Sequence, residues 1–514
     1  MVATQSENIQ RIAKNTLLLY IRMLFGMLVS LYTSRVILDT LGVEDYGIYN
    51  VVGGLVAMFS LISSSLSSTV SRFLTFELGA GNFDKLKKVF STAILIHLVL
   101  AGAVLILSET LGVWFLNTHL VVPASRLYAA NWVFQASIAA FILGLLTVPY
   151  NASIVSHERM KAFAYVGITD VVFRLLIVLF LAYAPWKFDR LIVYSLLLVG
   201  VGIFFQCILF SYCKKHFEEC RFKLSFDRLC WKEMSAFAGW NFIGCTAGLL
   251  KGAGVDILLN LFVGPVLNAA RGIAGSVNNA VSAFAGNFMA ALNPQIIKSY
   301  ASGHHIYMMS LVERGSRFSF YILLVLALPI LLETDFVLTL WLKQYPDHTV
   351  NFVRLVMILS MCNILSNTLI NLQVATGKIR NYQLAVGGVL MLNFPLSYIC
   401  LKLGFPPEST LGVAVFISLC CLILRLYFLR YIVELSMKRY LKNVCLNVFT
   451  VSLIALIVPV LVYSQLSEGW LRFIVVSITC VLSSMIVIYR IGCTVTERQF
   501  ILNRIVELKN RLFR

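Results

Sequence analysis

The sequence predicts an all-α polytopic membrane protein with fourteen transmembrane helices and both termini in the cytoplasm. Three observations carry that prediction: a series of long apolar stretches, a basic-residue bias that alternates between successive connections, and a composition unsuited to a soluble globule. The stretches cover residues 15 to 38, 47 to 71, 91 to 116, 128 to 148, 162 to 184, 191 to 212, 236 to 263, 273 to 296, 318 to 332, 350 to 376, 383 to 401, 411 to 429, 444 to 464 and 473 to 489. A hydrocarbon core of roughly 30 Å needs about 20 helical residues; only the stretch ending at Leu332 looks short.

With the amino terminus inside, 28 of the 42 Lys and Arg residues fall in inside connections and tails, and only Arg126, Lys187, Arg190, Arg271, Lys343, Lys402 and Arg472 fall outside. This is the positive-inside bias, and adding or dropping one helix would scramble it downstream. The chain is 59% hydrophobic and 13% charged, with mean hydropathy +0.85, so lipid must cover surface that no soluble core could bury. The net charge of +18 then belongs beside an anionic cytoplasmic leaflet, and no nucleic-acid partner is expected. The first apolar segment lacks a small-residue cleavage site and is expected to remain as a helix.

The twelve cysteines form no disulfide framework. Cys213, His216, Cys220 and Cys230 are loosely spaced like zinc ligands, but paired CxxC units are absent, so neither a metal nor a cofactor is expected.

The most polar internal stretch, Lys214 to Glu233, follows the sixth helix. It divides the chain into a first lobe of helices one to six (1–212), a cytoplasmic linker (213–235), a second lobe of helices seven to twelve (236–431), and a final helix pair with a basic cytoplasmic tail (432–514). An internal repeat supports the division: Gly42 falls on Gly264 and Gly81 on Gly303 at a shift of 222, and Gly167 on Gly387 at 220. Units with an even number of spans repeat in parallel about an axis along the membrane normal, with a substrate route expected between them.

Seven basic residues lie inside predicted helices: Arg22, Arg35, Arg72, Arg174, Lys251, Arg354 and Arg425. Each costs at least about 2.5 to 3.5 kcal/mol at the bilayer centre and needs a reason to be there. Arg35, Arg72, Arg354 and Arg425 are near enough to helix ends to snorkel, and the first three are also candidates for substrate contact or gating. Arg22, Arg174 and Lys251 lie deeper. The repeat maps Lys251 onto Val29, seven residues after Arg22, so Arg22 and Lys251 occupy the same face of equivalent helices. Two facing cations call for water or an anion between them, hence an aqueous cavity receiving an anionic group; the alternative is that each pairs privately with a carboxylate.

Asp170 and Arg174 stand at i,i+4 and can pair. In the functional version, protonation of Asp170 releases Arg174 and couples ion movement to the transport cycle. Asp256, five residues from Lys251, is expected as its partner or as a second coupling site. The second and eighth helices carry polar stripes, Ser63 to Ser71 and Asn278, Asn279, Ser282, Asn287 and Asn293, suited either to sugar recognition or to close helix packing. No GxxxxGK[ST] loop, triad or paired-carboxylate site is present, so no enzyme is expected.

The run from Ser34-Arg35-Val36 through Leu41-Gly42-Val43-Glu44-Asp45-Tyr46-Gly47 to Tyr49 resembles the signature at the end of the first helix in Wzx-type polysaccharide flippases. Phe262-Val263-Gly264-Pro265-Val266-Leu267-Asn268-Ala269-Ala270-Arg271-Gly272, followed by Asn293-Pro294-Gln295-Ile296, resembles the corresponding part of the second half in bacterial members. That family sits in the multidrug/oligosaccharidyl-lipid/polysaccharide (MOP) superfamily. The resemblance implies two pseudo-symmetric six-helix lobes in a V around a central cavity, a C-terminal helix pair, and alternating access in the bacterial inner membrane. It further implies cation coupling, by H+ or Na+, and translocation of undecaprenyl-diphosphate-linked oligosaccharide, an O-antigen or capsular unit. A polysaccharide polymerase, a chain-length regulator and membrane lipids are the implied partners. The diphosphate would be the anion for Arg22, Arg174 and Lys251. A cation-coupled multidrug exporter and a lipid II flippase are the alternatives; deep bases outnumber Asp170 and Asp256, which favours an anionic substrate. A membrane glycosyltransferase would need an outer catalytic loop, and the outside connections are short and poor in acids.

Overall fold

The computed structural model describes residues 2–499 and 502, apart from 58, 121, 185–187, 222–225, 264 and 343. The expectations for Lys187, Gly264, Lys343, the middle of the linker and the tail beyond 502 lie outside the described residues, as do the side chains of Ser34, Leu38, Val43, Glu44, Pro265 and Val266 in the quoted signatures.

Every regular element among the described residues is helical. In lipid a chain must satisfy its own peptide groups, and long apolar runs do so as helices. In chain order these are α1 Val2–Ala57, α2 Ser60–Ala80, α3 Phe83–Leu107, α4 Val113–Thr118, α5 Leu127–Ser156, α6 Met160–Tyr183, α7 Arg190–His216, α8 Arg228–Phe262 and α9 Pro265–Ala301. There follow α10 His305–Leu332, α11 Thr334–Leu342, α12 Thr349–Thr376, α13 Arg380–Met391, α14 Asn393–Lys402, α15 Ser409–Val433, α16 Met437–Tyr440, α17 Asn447–Gln465 and α18 Trp470–Val487. Twelve described stretches are long and apolar enough to cross a membrane. Of the fourteen segments expected, the two with polar stripes fall on α2 and α9, outside that apolar set.

Two boundaries differ from the sequence reading. The segment 47–71 is broken, since α1 runs to Ala57 and α2 starts at Ser60. The stretch 318–332 looked short because Glu313, Arg314 and Arg317 interrupt its hydropathy, yet all three lie on the 28-residue helix α10. Arg317 is buried there and pairs with Glu497 at 2.7 Å.

The chain forms two compact units, Met1–Thr246 with Pro294–His304, and Ala247–Asn293 with His305–Arg514. The division between these units falls within α8 and α9. The reason is local packing in the first unit: Asn241 Nδ2 donates to Ser65 O at 3.1 Å, Ser65 Oγ donates to Ala238 O at 2.9 Å, and Phe237 meets Phe73 edge-on at 5.7 Å. The linker is likewise tied down, with Cys213 Sγ and Cys220 Sγ each 3.7 Å from an oxygen of α5, on Tyr150 and Ser153. In the same unit α5 packs against α7 and α2, and its Ala129 and Ala130 are buried in a core with Ile48, Val52, Leu116 and Leu191. In the second unit α17 and α18 pack together, and Arg472 at the start of α18 donates twice to Glu333, at 2.9 and 3.1 Å.

The glycine repeat has a structural counterpart. Gly81 after α2 and Gly303 after α9 both take left-handed backbone, φ 71° and 74°. In each, the following amide reaches back five residues, Asn82 N to Glu77 O and His304 N to Ser299 O, both at 3.0 Å. This is the same helix stop used twice, and it needs a residue that tolerates positive φ.

Candidate functional site

The deep cations of the first unit gather where α1 packs on α6. Arg22 is half-buried, with its guanidinium 4.3 Å from the centre of the Phe163 ring. Gly167 makes the room: a Cβ there would lie 2.8 Å from Arg22 Cζ. Arg174 Nε donates to Asp170 Oδ2 at 3.0 Å, with Arg174 half exposed, so the expected i,i+4 pair forms. Asp170 is thus the partner of Arg174, while Arg22 sets its charge against an aromatic ring.

In the second unit Lys251 on α8 lines a cavity of about 210 Å³ with Arg271, Asn363, Asn393 and Thr410. No carboxylate lines it, and Lys251 makes no ion pair with a described residue. Of the two roles expected for Asp256, partner of Lys251 or second coupling site, the structure does not form the first: Asp256 Oδ1 accepts from Arg271 Nε at 3.1 Å. Five residues along a helix turn the side chain well away from position 251, while α9 brings Arg271 alongside. Arg271, assigned to an outside connection, is in fact the seventh residue of α9. A helix beginning at Pro265 was its available signal, since proline favours the first helical position. Two buried polar atoms of the lining, Arg271 Nη1 and Asn393 Oδ1, lack a hydrogen-bond partner. Asn393 Nδ2 donates to Lys251 O at 3.2 Å. Arg425 is buried, with Nε donating to Tyr382 Oη at 3.1 Å.

The remaining candidates are mostly satisfied locally. Arg72 and Arg425 do not snorkel as expected; both are buried. Arg72 lies over Phe73, Phe76 and Phe237 at 4.5, 4.8 and 5.5 Å, where ring faces replace headgroup contact. Arg354 Nε donates to Leu331 O and Thr334 Oγ1, both at 3.2 Å, and so braces the join of α10 and α11. Asn278 Oδ1 accepts from Ser360 Oγ at 2.5 Å, and Asn287 Nδ2 donates to Ala283 O at 2.9 Å, contacts that tie helices and turns together. Arg35 is exposed on α1.

Two ion clusters escaped the sequence reading. In the first unit Glu158, its side chain only 2% exposed, accepts from Lys298 Nζ at 2.7 Å, pairs with Arg11 Nε at 2.9 Å and accepts from Gln295. In the same unit Arg126 Nε donates to Asp45 Oδ1 at 2.8 Å, and Nη2 donates to Asp189 Oδ1 at 3.2 Å. Asp189 also caps α7 through the Leu191 amide at 2.9 Å. Burial pushes the Asp189 carboxyl up, but Arg126 and the α7 amides outweigh it and hold the group below the usual carboxylate range.

No protein-family model matches the sequence. The chain is 23% identical over 328 residues to the uncharacterized membrane protein EpsK of Bacillus subtilis (strain 168), a match covering 62% of this chain and 63% of EpsK, less than two thirds of that relative. Among solved structures it is similar to a MATE in complex with MaD3S, with TM-score 0.71 and 11% identity over 83% of this chain and 97% of the other. The MATE transporter ClbM in complex with Rb+ gives TM-score 0.68 and 13% identity over 84% and 96%. A MOP superfamily transporter from Pyrococcus furiosus, described as having a binding pocket of reverse polarity that suggests a different function, gives 0.68 and 11% over 82% and 96%. The chain therefore has the fold shared by MATE transporters of the MOP superfamily.

Proposed function

We propose that this multi-pass membrane protein is a MOP-type transporter that carries undecaprenyl-diphosphate-linked oligosaccharide across the bacterial inner membrane by alternating access. The observation that carries the reading is Lys251: a deep cation that lines a polar cavity together with Arg271, with no carboxylate in the lining. An unpaired ammonium away from water is costly, and a phosphate offsets that cost through charge-assisted hydrogen bonds. In the first unit Arg22, over the Phe163 ring, and Arg174, paired with Asp170, add two further cations on α1 and α6. The amides of Asn363 and Asn393 and the Thr410 hydroxyl offer donors and acceptors of the kind sugar hydroxyls need. Protonation of Asp170 would cancel the charge that holds Arg174, which gives a coupling ion something to act on.

A cation-coupled drug exporter is the second reading. It is favoured by Asp256, whose side chain is 51% exposed and accessible to a cation.

The test is flipping of a fluorescent lipid-linked diphosphate oligosaccharide in proteoliposomes. Lys251→Gln and Arg271→Gln are each expected to slow it about tenfold to a hundredfold, the worth of one hydrogen bond to a charged group, and Lys251→Arg is expected to restore much of the rate. Full activity in the folded Lys251→Gln, Arg271→Gln double variant would overturn the proposal. Export of cationic dyes with no flipping would favour the exporter.

A further inference from the structure

We infer that the second unit holds another anion site, for the phosphate of a membrane-lipid headgroup, in the cavity where α10, the α16–α17 junction and the chain after α18 meet. The inference is independent of the transported substrate. This cavity measures about 530 Å³ and is lined by Arg314, Arg317, Arg439 and Lys442 among polar neighbours.

Its charges do not balance. Glu313, the acidic residue of the lining, pairs with Arg439 Nε at 2.8 Å. Glu497 serves both Arg314 at 3.3 Å and Arg317 at 2.7 Å. Four basic side chains thus meet two carboxylates, and Lys442 makes no ion pair with a described residue. Arg317, its side chain 7% exposed, is held in place by Gly492 O at 3.0 Å and by Glu497, while its buried Nε has no partner. Asn443, Thr494 and Thr496 add neutral donors beside these cations. A phosphate would accept from several of them at once and balance the excess charge.

The backbone is shaped around the same place. Two π-helical turns, Leu441–Leu446 and Ile488–Gly492, flank the cavity. Such turns carry an extra residue, re-aim the side chains that follow, and are frequent at functional sites. Leu446 and Ile491 in these turns are exposed apolar residues of the lining, suited to the first carbons of acyl chains. The basic residues come from connections that the positive-inside bias assigns to the cytoplasmic face, where anionic lipid is concentrated. Cationic donors next to an apolar rim match an amphiphile better than a free ion.

The test is native mass spectrometry of the full-length protein titrated with phosphatidylglycerol, cardiolipin, phosphatidylethanolamine and undecaprenyl diphosphate. The wild type is expected to prefer the anionic lipids over phosphatidylethanolamine. At about 1 kcal/mol for each basic residue near a membrane surface, the Arg439→Gln, Lys442→Gln double variant should lose about thirtyfold in affinity. Lys438→Gln removes a charge from α16 outside the cavity and should stay within about twofold. Glu313→Gln releases Arg439 and should tighten binding, a gain that misfolding cannot mimic. Displacement of phosphatidylglycerol by undecaprenyl diphosphate assigns the site to the isoprenoid diphosphate; failure to displace assigns it to bulk phospholipid. No preference for anionic lipid, a double variant equal to Lys438→Gln, or weaker binding in Glu313→Gln would each overturn the inference.

Discussion

Replacing Arg472 with methionine should cost the fold about 3 kcal/mol, because it strands Glu333. The Glu333 side chain is 1% exposed and that of Arg472 9%, and two hydrogen bonds of 2.9 and 3.1 Å join them. Unit charges this close attract by about 6 kcal/mol at an effective dielectric near 20, and desolvating both ions returns much of that gain. Removing the arginine deletes the attraction and leaves the carboxylate's burial uncompensated; broken buried pairs of this kind cost about 3 to 5 kcal/mol. The low end applies here, since Glu468 also reaches Arg472 at 3.5 Å from an exposed position and marks the nearness of solvent. Arg472 further lies 4.6 Å from the Tyr463 ring centre, which methionine keeps in part as a sulfur contact. The assay is denaturant unfolding of the detergent-solubilised protein for Arg472→Met, Glu333→Leu and the double variant. The double variant, with both charges replaced by apolar groups, should recover most of the loss. A single-variant cost under about 0.5 kcal/mol, or strict additivity of the two substitutions, would refute the reasoning.

Two further outcomes follow from geometry. Gly167→Ala places a methyl where the Arg22 guanidinium now lies, so it should mimic Arg22→Gln in the flipping assay while costing under about 1 kcal/mol of stability, because the displaced group is the mobile end of a side chain; full activity in this variant would detach Arg22 from the site. Asp189 has a folded-state pKa below its unfolded value, so its contribution is fully present above about pH 4, the unfolded aspartate value, and is lost as pH falls through the folded pKa. Asp189→Asn should therefore flatten the acid limb of a stability–pH profile, and an unchanged limb would remove Asp189 as its source.

The helices were legible because lipid leaves a chain few other options, and runs of apolar residues report length directly. The Asp170–Arg174 pair was legible for a similar reason, since one turn of helix fixes its geometry. What hydropathy hid was charge inside helices. Arg317 reads as a loop residue until Glu497, 180 positions away, is brought to it. Glu158 likewise meets Lys298 across 140 residues, and no local pattern foretells such a meeting. Arg72 and Arg425 were expected at the headgroups because periodicity does not reveal the aromatic rings and the tyrosine hydroxyl that hold them in the interior. Arg271 was misplaced by one helix boundary, and that single slip hid its pairing with Asp256.

Gly42 takes φ 79° and ψ 168° inside α1, a combination open essentially to glycine alone. Three residues later Asp45 grips Arg126, which in turn holds Asp189 at the start of α7. An uninterrupted helix would swing position 45 to another bearing and let go of that arginine. The smallest residue in the stretch thus works as a compass needle, and any side chain grafted onto it would be felt first in the anchorage of α7, far along the chain from the change.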